Sequence, residues 1–430
     1  MLIYYAIAAL VLWQGLMSLR GGLRYLSFFR RELADGPPPA AYAPFAAVFV
    51  PCRGLDQGLR ENFAALFAQD YPAYELVFVS DRGDDPALAL AEEVGREHAG
   101  DAVGGVARVS FVLAGRAAES GQKVHNLLAA VRRASPRSEV FVFVDTDARP
   151  QPGWLSSLVA PLADGAVGAA TGYRWFVPER GGLASHLRAV WNASIASALG
   201  ENGMRNFCWG GSTALRRETF ERLSMAARWR GTLSDDFALT RALHSERLPV
   251  RFVPACLTAS VEDCSLGELF EFTTRQLKIT RVYAPHLWLV VLVSNLLFVA
   301  AFWGGLSVAA ARAAAGLGFA GPLAFVAAIF LLGAGKSLAR WRAVSLALAP
   351  YGGRLRSGLW AHLTLWPATA ALFLYNALAA LVSRRIVWRG IAYRLESATR
   401  TVVVGAGAEA SAGGGAGRPA RIGLPKSGNV

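Results

Sequence analysis

The sequence predicts an α/β domain built on a mostly parallel sheet, with apolar helices before and after it. Three observations point there: runs of β-branched and aromatic residues alternate with helix-patterned stretches, two of those runs end abruptly in acid, and long apolar segments lie towards both ends. At 430 residues, 53% of them apolar, the chain can hold one large or two ordinary domains with part of its length in a membrane.

The elements follow in order. Residues 2–19 are almost wholly apolar, without a basic stretch before them or a small-residue cleavage site after them, so 1–20 reads as a retained anchor rather than a signal peptide. Arg20, Arg24, Arg30 and Arg31 follow, which by the positive-inside rule places the next segment in the cytoplasm. Residues 21–43 read as a basic juxtamembrane segment that ends in the stiff linker Gly36-Pro37-Pro38-Pro39. A globular domain then spans 44–264. Phe45 to Val50 is its first strand, leading into Pro51-Cys52-Arg53-Gly54. Leu59, Phe63, Leu66 and Phe67 share one helical face, with Asp56 as N-cap and Asp70-Tyr71-Pro72 as the stop. Tyr74 to Ser80 is the second strand, ending in Asp81 and followed by Asp84-Asp85-Pro86. Next come a helix from Ala87 to Glu97, a strand from Ala107 to Leu113, a helix from Gln122 to Arg133 and the strand Val140 to Val144. This strand and helix order implies parallel pairing with helices on both faces.

The last of these strands runs into Asp145-Thr146-Asp147. Open α/β sheets bind ligands at the carboxyl ends of their strands, and two hard oxygen ligands there suit a divalent cation that holds a diphosphate. Further on, Trp209-Gly210-Gly211 has a glycine pair that permits close approach of a ligand to the backbone, ahead of a helix beginning near Glu218. Ser234-Asp235-Asp236 then precedes a helix marked by Leu239 and Leu243. Ser234 or Asp235 is placed to cap that helix, which leaves Asp236 free as a general base.

Residues 183–199 and 266–283 are amphipathic, and the second is read within an interfacial segment, 265–286. The membrane region spans 287–383, with apolar stretches at 287–310, 317–335 and 358–382, each long enough to cross the hydrocarbon core. Lys336, Arg340, Arg342, Arg354 and Arg356 mark a cytoplasmic loop between the last two. A fourth crossing would put Arg384, Arg385, Arg389 and Arg394, in the basic segment 384–404, on the wrong side. Pro367 could instead break the last stretch into a re-entrant hairpin, and both topologies stay open. From Gly405 the chain is Gly, Ala and Ser with scattered charge, so 405–430 reads as a disordered tail. Cys52, Cys208, Cys256 and Cys264 lack metal-ligand spacing. The net charge of +13 clusters beside apolar segments, which suits anionic lipid headgroups rather than nucleic acid.

Together, Pro51-Cys-Arg-Gly-Leu-Asp56, Gln69-Asp-Tyr-Pro72, Asp81-Arg-Gly-Asp-Asp-Pro-Ala87, Lys123-Val-His-Asn126, Asp145-Thr-Asp147 and Asp235-Asp236 resemble, in order and spacing, the ceramide glucosyltransferase-like family. These are membrane-bound inverting glycosyltransferases related to family 2. The resemblance covers about residues 45–285 well, and the flanks in layout only. It implies a GT-A, Rossmann-like domain on the cytoplasmic face of a bacterial inner membrane, with one transmembrane helix before it and about three after it. It also implies transfer of a hexose, glucose, from a UDP-sugar to a ceramide-like lipid hydroxyl, with Mg2+ or Mn2+ as cofactor. By the same resemblance Asp81, Lys123, Asn126 and Asp145 would face the nucleotide, Asp147 with Asp145 the metal, and Asp236 and Asp235 would be the catalytic pair, with Asp236 the base.

The family's Gln/Arg-x-x-Arg-Trp appears here as Arg275-Gln276-Leu277-Lys278-Ile279, so lysine replaces arginine and isoleucine the indole. Arg275 and Lys278, with Trp209, Gly210 and Gly211, are the residues expected on the diphosphate and acceptor side. The missing Trp argues against a processive polysaccharide synthase. Other lipid acceptors, such as a hopanoid, a diacylglycerol or a polyprenyl phosphate, remain alternatives. The retained acids argue against a catalytically silent membrane scaffold.

Overall fold

The computed structural model describes residues 1–34, 42–98 and 105–406. Helix α1 spans Leu2–Ala34, and strand β1, Ala46–Pro51, opens the domain. There follow α2 (Leu59–Phe67), β2 (Tyr74–Ser80), α3 (Pro86–His98), β3 (Val106–Leu113), α4 (Gln122–Arg133), β4 (Val140–Val144), α5 (Trp154–Val159) and β5 (Ala169–Val177). Next are α6 (Leu183–Ala196), β6 (Ser212–Arg216), α7 (Arg217–Arg222), α8 (Met225–Arg228), α9 (Asp235–Ser245), β7 (Val250–Val261) and α10 (Leu266–Tyr283). Then come α11 (Pro285–Ala314), α12 (Ala320–Ala347), α13 (Gly352–Ser357), α14 (Leu359–Thr364) and α15 (Trp366–Val382). The described chain ends in β8 (Arg385–Trp388), β9 (Ile391–Ser397) and β10 (Arg400–Ala406).

Seven strands form one sheet in the order β3-β2-β1-β4-β6-β5-β7. Only β6 runs antiparallel to its neighbours, so the sheet is mostly parallel, as expected. Because β2 pairs with one edge of β1 and β4 with the other, the order reverses at β1, and the carboxyl ends of the three strands open a crevice there. Strands β1, β2 and β4 are buried on both faces. Val48, Val50, Phe78, Val142 and Val144 point into one apolar layer with Phe63 and Leu66 of α2, while Phe49, Val79, Phe141 and Phe143 point into the other with Leu127 of α4 and Leu239 of α9. Alternation along each strand sorts these residues, and each such burial contributes about 1.5–3 kcal/mol.

The apolar helices differ from the expected boundaries. Helix α1 continues through the basic segment rather than ending near residue 20, because Tyr25, Phe28 and Phe29 enter the first core layer and Glu32 pairs with Arg251 at 2.7 Å. The linker Gly36–Pro39 lies outside the described residues, as does the tail beyond Ala406; β10 takes in Gly405 and Ala406. Among the described residues, helices α1, α11 and α12 are long and apolar enough to cross a membrane, so two such helices follow the domain there rather than three.

The third stretch is broken. Trp366 and Pro367 start a new helix, α15, of 17 residues, after the short α14. His362 of α14 stacks on Trp175 of β5 with ring centroids 5.2 Å apart, and the strand after α15 docks on α10. Both ends of this stretch therefore lie against the sheet domain. Arg384, Arg385, Arg389 and Arg394 accordingly sit on the same side as the domain.

Helices α6, α10 and α15 pack together, with Trp191 stacked on Phe373 at 4.7 Å. Leu183, Leu266 and Phe270 stay exposed beside them. The capping box expected of a well-started helix is present at α10, where Ser265 and Glu268 satisfy each other's backbone. The basic segment 384–404, read only by its charge, is a three-stranded sheet of order β10-β9-β8, seated on Ile279 and Tyr283.

Candidate active site

The turn after β4 is pinned before any chemistry is considered. Thr146 donates to Asp56 at 2.9 Å, and its carbonyl accepts from Asn62, also at 2.9 Å. Asp56 is consequently not the N-cap of α2. Gly58 holds that position with φ of 66°, since a Cβ there would meet Arg149, and the Asp56 carboxylate turns towards the crevice.

Five charges meet at and behind this turn. Lys123, on the first turn of α4, stands 2.7 Å from Asp145 and 3.3 Å from Asp235. Arg174, from β5, lies 2.6 Å from Asp147 and 3.5 Å from Asp145, and its guanidinium sits 5.0 Å over the ring of Trp209. Burial disfavours the Asp145 carboxylate, but Lys123 and Arg174 outweigh it and hold its pKa below the ordinary value. Asp147 goes the other way: burial raises it, with Asp145 adding to the rise against Arg174. Burial also pushes Asp235 up to about 6, although Lys123 opposes this. Lys123 itself, despite burial, is kept charged by Asp145 and Asp235.

The glycine pair serves this cluster. A Cβ on Gly210 would meet Asp235 Oδ2 and Lys123 Nζ, and one on Gly211 would strike the indole of Trp209. The close approach is thus to the protein's own side chains. Asn126 is one step removed: it accepts from Gln122 at 2.8 Å, and Gln122 in turn holds the loop at Gly115 and Ala117. Asp81, at the end of β2, is buried and pairs with Arg53 at 2.5 Å. Neighbouring Asp85 caps α3 and takes a hydrogen bond from the Gly54 amide, which accounts for the second acid of that pair.

Ser234 is the N-cap of α9, as expected. Asp235 is buried and faces the lysine, whereas Asp236 is half-buried and takes hydrogen bonds on Oδ1 from Ser234 and, at 2.7 Å, from the Phe237 amide. Arg275 and Lys278 do not pair with these acids. Lys278 donates to the Arg385 carbonyl at 2.8 Å, and Arg275 lies between Phe272 and Trp388 while pairing with Glu271. Ile279 is buried against Ile386, Tyr393 and Leu395, so this segment of α10 carries the C-terminal sheet.

Arg53, Asp56, Arg174 and Arg389 were not expected from sequence as members of the site. Arg389 forms two hydrogen bonds to Asp56, at 2.6 and 2.8 Å. A lone arginine in the apolar run Ala169–Val177 was a readable signal for Arg174. The others gave none, because their meaning depends on partners far along the chain.

Both carboxylates expected to hold a metal are present on one side of the crevice. Asp147 Oδ1 is buried without a hydrogen bond, and a cation, Arg174, already bridges the pair. Among the described residues no third His, Cys, Asp or Glu joins them. The donor set suits a hard cation that draws its remaining ligands from phosphate and water.

Among solved structures, the chain is similar to the mannosyltransferase PcManGT from Pyrobaculum calidifontis in complex with GDP-Man and Mn2+: 19% identity over 88% of this chain and 99% of that one, TM-score 0.47. It is also similar to glucosyl-3-phosphoglycerate synthase from Mycobacterium tuberculosis, at 14% identity over 60% of this chain and 85% of that one, TM-score 0.35. The same synthase with Mn2+, UDP-Glc and glycerol 3-phosphate matches at 16% identity over 56% and 80%, TM-score 0.35. The family model described as glycosyl transferase family 21 matches residues 4–401, nearly the whole chain. The chain therefore belongs to glycosyl transferase family 21, and it is a glycosyltransferase.

Proposed function

We propose that this enzyme transfers glucose from UDP-glucose to the hydroxyl of a ceramide-like membrane lipid, with inversion in a single displacement. The observation that carries the reading is the half-buried Asp236 standing beside a buried acid and cation cluster at the carboxyl ends of β1, β2 and β4, in a chain whose helices α6 and α10 also expose apolar residues. Asp235 is already engaged by Lys123. Asp236 keeps access to an incoming hydroxyl, which a general base needs before its pKa matters. Asp236 would take the hydroxyl proton while the lipid oxygen attacks the anomeric carbon from the face opposite the leaving diphosphate.

Asp145 and Asp147 would hold Mg2+ or Mn2+, which when bound supplies charge neutralisation to the diphosphate. Asp81 would meet the nucleotide and Lys123 would keep Asp145 ionised and oriented. The acceptor would enter beside Leu183, Leu266 and Phe270, whose exposure on one side of the domain suits a lipid surface. The enzyme would then sit in a bacterial inner membrane with its catalytic domain in the cytoplasm.

Two experiments test the reading. Lipid mass spectrometry of a host with and without the gene should show a hexosylated sphingolipid only when the gene is present; a sugar on a different lipid would replace the acceptor. Asp236→Asn should bind UDP normally and lose turnover by about a hundred- to ten-thousand-fold. Turnover at the normal rate would remove Asp236 from the base role.

A further inference from the structure

We propose that the C-terminal hairpin is a wall of the donor site and that Arg389, at its tip, binds the donor diphosphate. The inference rests on the nucleoside-diphosphate-sugar reading above and adds to it a residue from outside the sheet domain.

Strands β8 and β9 pair with Trp388 opposite Ile391, which leaves Arg389 and Gly390 as a two-residue turn. Both have positive φ, 50° and 74°, as a type I′ turn requires. Glycine takes such a conformation freely, but an arginine there costs about 1 kcal/mol. The chain thus carries a long cation at a position where a small residue would be easier, and it aims that cation into the crevice.

There the guanidinium meets Asp56 with two parallel hydrogen bonds at 2.6 and 2.8 Å, and the Arg53 carbonyl at 3.3 Å. Asp56 is the acid that also accepts from Thr146, so Arg389 is joined through Asp56 to the residue that stands between Asp145 and Asp147. A planar fork that fits a carboxylate with two bonds fits a phosphate in the same way. The Arg389 side chain is 39% exposed, against 14% for Arg174 and 14% for Lys123. It is therefore the cation of the cluster most open to an incoming anion. Arg53 adds a second: it holds Asp81 and donates to the Arg389 carbonyl at 2.9 Å.

The seat of the hairpin fixes this geometry. Lys278 holds the Arg385 carbonyl, Arg275 lies against the ring of Trp388, and Tyr393 accepts from the Gln122 amide at 3.1 Å, next to Lys123. On the other wall, the Thr399 carbonyl sits so close to Gly231 that a Cβ there would be 2.3 Å away, just ahead of Asp235. A bound diphosphate would compete with Asp56 for the Arg389 fork.

The test uses the full chain in detergent with Mn2+, measuring calorimetric affinity for UDP, GDP, uridine and guanosine in the wild type and in Arg389→Gln. Charge-assisted hydrogen bonds of this kind translate to about a ten- to hundred-fold loss of nucleoside diphosphate affinity, with nucleoside affinity unchanged. Unchanged diphosphate affinity, or an equal loss for the nucleosides, overturns the proposal, the latter making Arg389 only a latch for the hairpin. If the wild type prefers neither diphosphate to its nucleoside, the donor reading itself fails, and the proposal with it. Should Arg389→Gln not fold, wild-type protein treated with an arginine-selective dicarbonyl gives the same decision by mass spectrometry. UDP but not uridine should then protect Arg389, and equal modification in both refutes the proposal.

Discussion

Replacing Lys123 with methionine removes one ammonium from the acid cluster while keeping most of the side-chain volume. Lys123 reaches Asp145 at 2.7 Å and Asp235 at 3.3 Å, and those acids are only 20% and 6% exposed at their side chains. Breaking a buried pair from one side strands its partner, at about 3–5 kcal/mol. In a domain of this size 1 kcal/mol corresponds to about 2–4 °C, so the expected fall in melting temperature is about 6–20 °C. The fall should depend on pH in a definite direction. Burial already pushes Asp235 up to about 6 from the ordinary 3.8, with Lys123 opposing, so losing the lysine raises Asp235 further and raises Asp145 as well. An acid whose folded-state pKa is raised contributes stability fully below its unfolded value and loses it as pH rises through the folded one. The variant's deficit should therefore be largest well above pH 6 and shrink as the pH falls towards 4. Tryptophan fluorescence during thermal unfolding in detergent, at one scan rate because such unfolding is often irreversible, measures it. An equal deficit across the pH range would mean that packing, not charge, holds Lys123 in place.

Two further predictions join those for Asp236 and Arg389. Asp147→Asn should lower the affinity for Mn2+ in the presence of UDP, read by electron paramagnetic resonance titration, because a neutral amide is a poor ligand for a hard cation; an unchanged affinity would remove Asp147 from the metal site. Ile279→Trp should destabilise the C-terminal sheet by about 1–3 kcal/mol, because Ile279 is 6% exposed and packed against Ile386, Tyr393 and Leu395. Faster amide hydrogen exchange in β9 would register this, and unchanged exchange would show that the position has room for an indole.

Much of the fold was legible because its signals are local. The strand, helix, strand order from Phe45 to Val144, and the acids that end two of the strands, are readable from periodicity, and the structure places them within a mostly parallel sheet. Asp145, Asp147, Lys123 and Asp235 then meet in one crevice. Reading failed where a residue's role depends on a distant partner. Asp56 looked like a helix cap because it precedes an amphipathic turn, but Gly58 takes the cap and Asp56 answers Thr146 and Arg389. Arg275 and Lys278, expected on the diphosphate and acceptor side, also make contacts that sequence did not show, to Trp388 and the Arg385 carbonyl.

The sequence by itself determined the strand and helix order from Phe45 to Val144, the apolar helices at either end, and the acids at the carboxyl ends of β2 and β4, since each follows from the spacing of neighbours in the chain. The tertiary structure alone decided which charges share the crevice. It brought Arg174 across from β5 and Arg389 from a hairpin beyond the last apolar helix, and it broke the final apolar stretch so that the basic C-terminal segment returned to the domain. The physical reason is that a buried acid requires a cation, and the nearest cation in space need not be near in sequence.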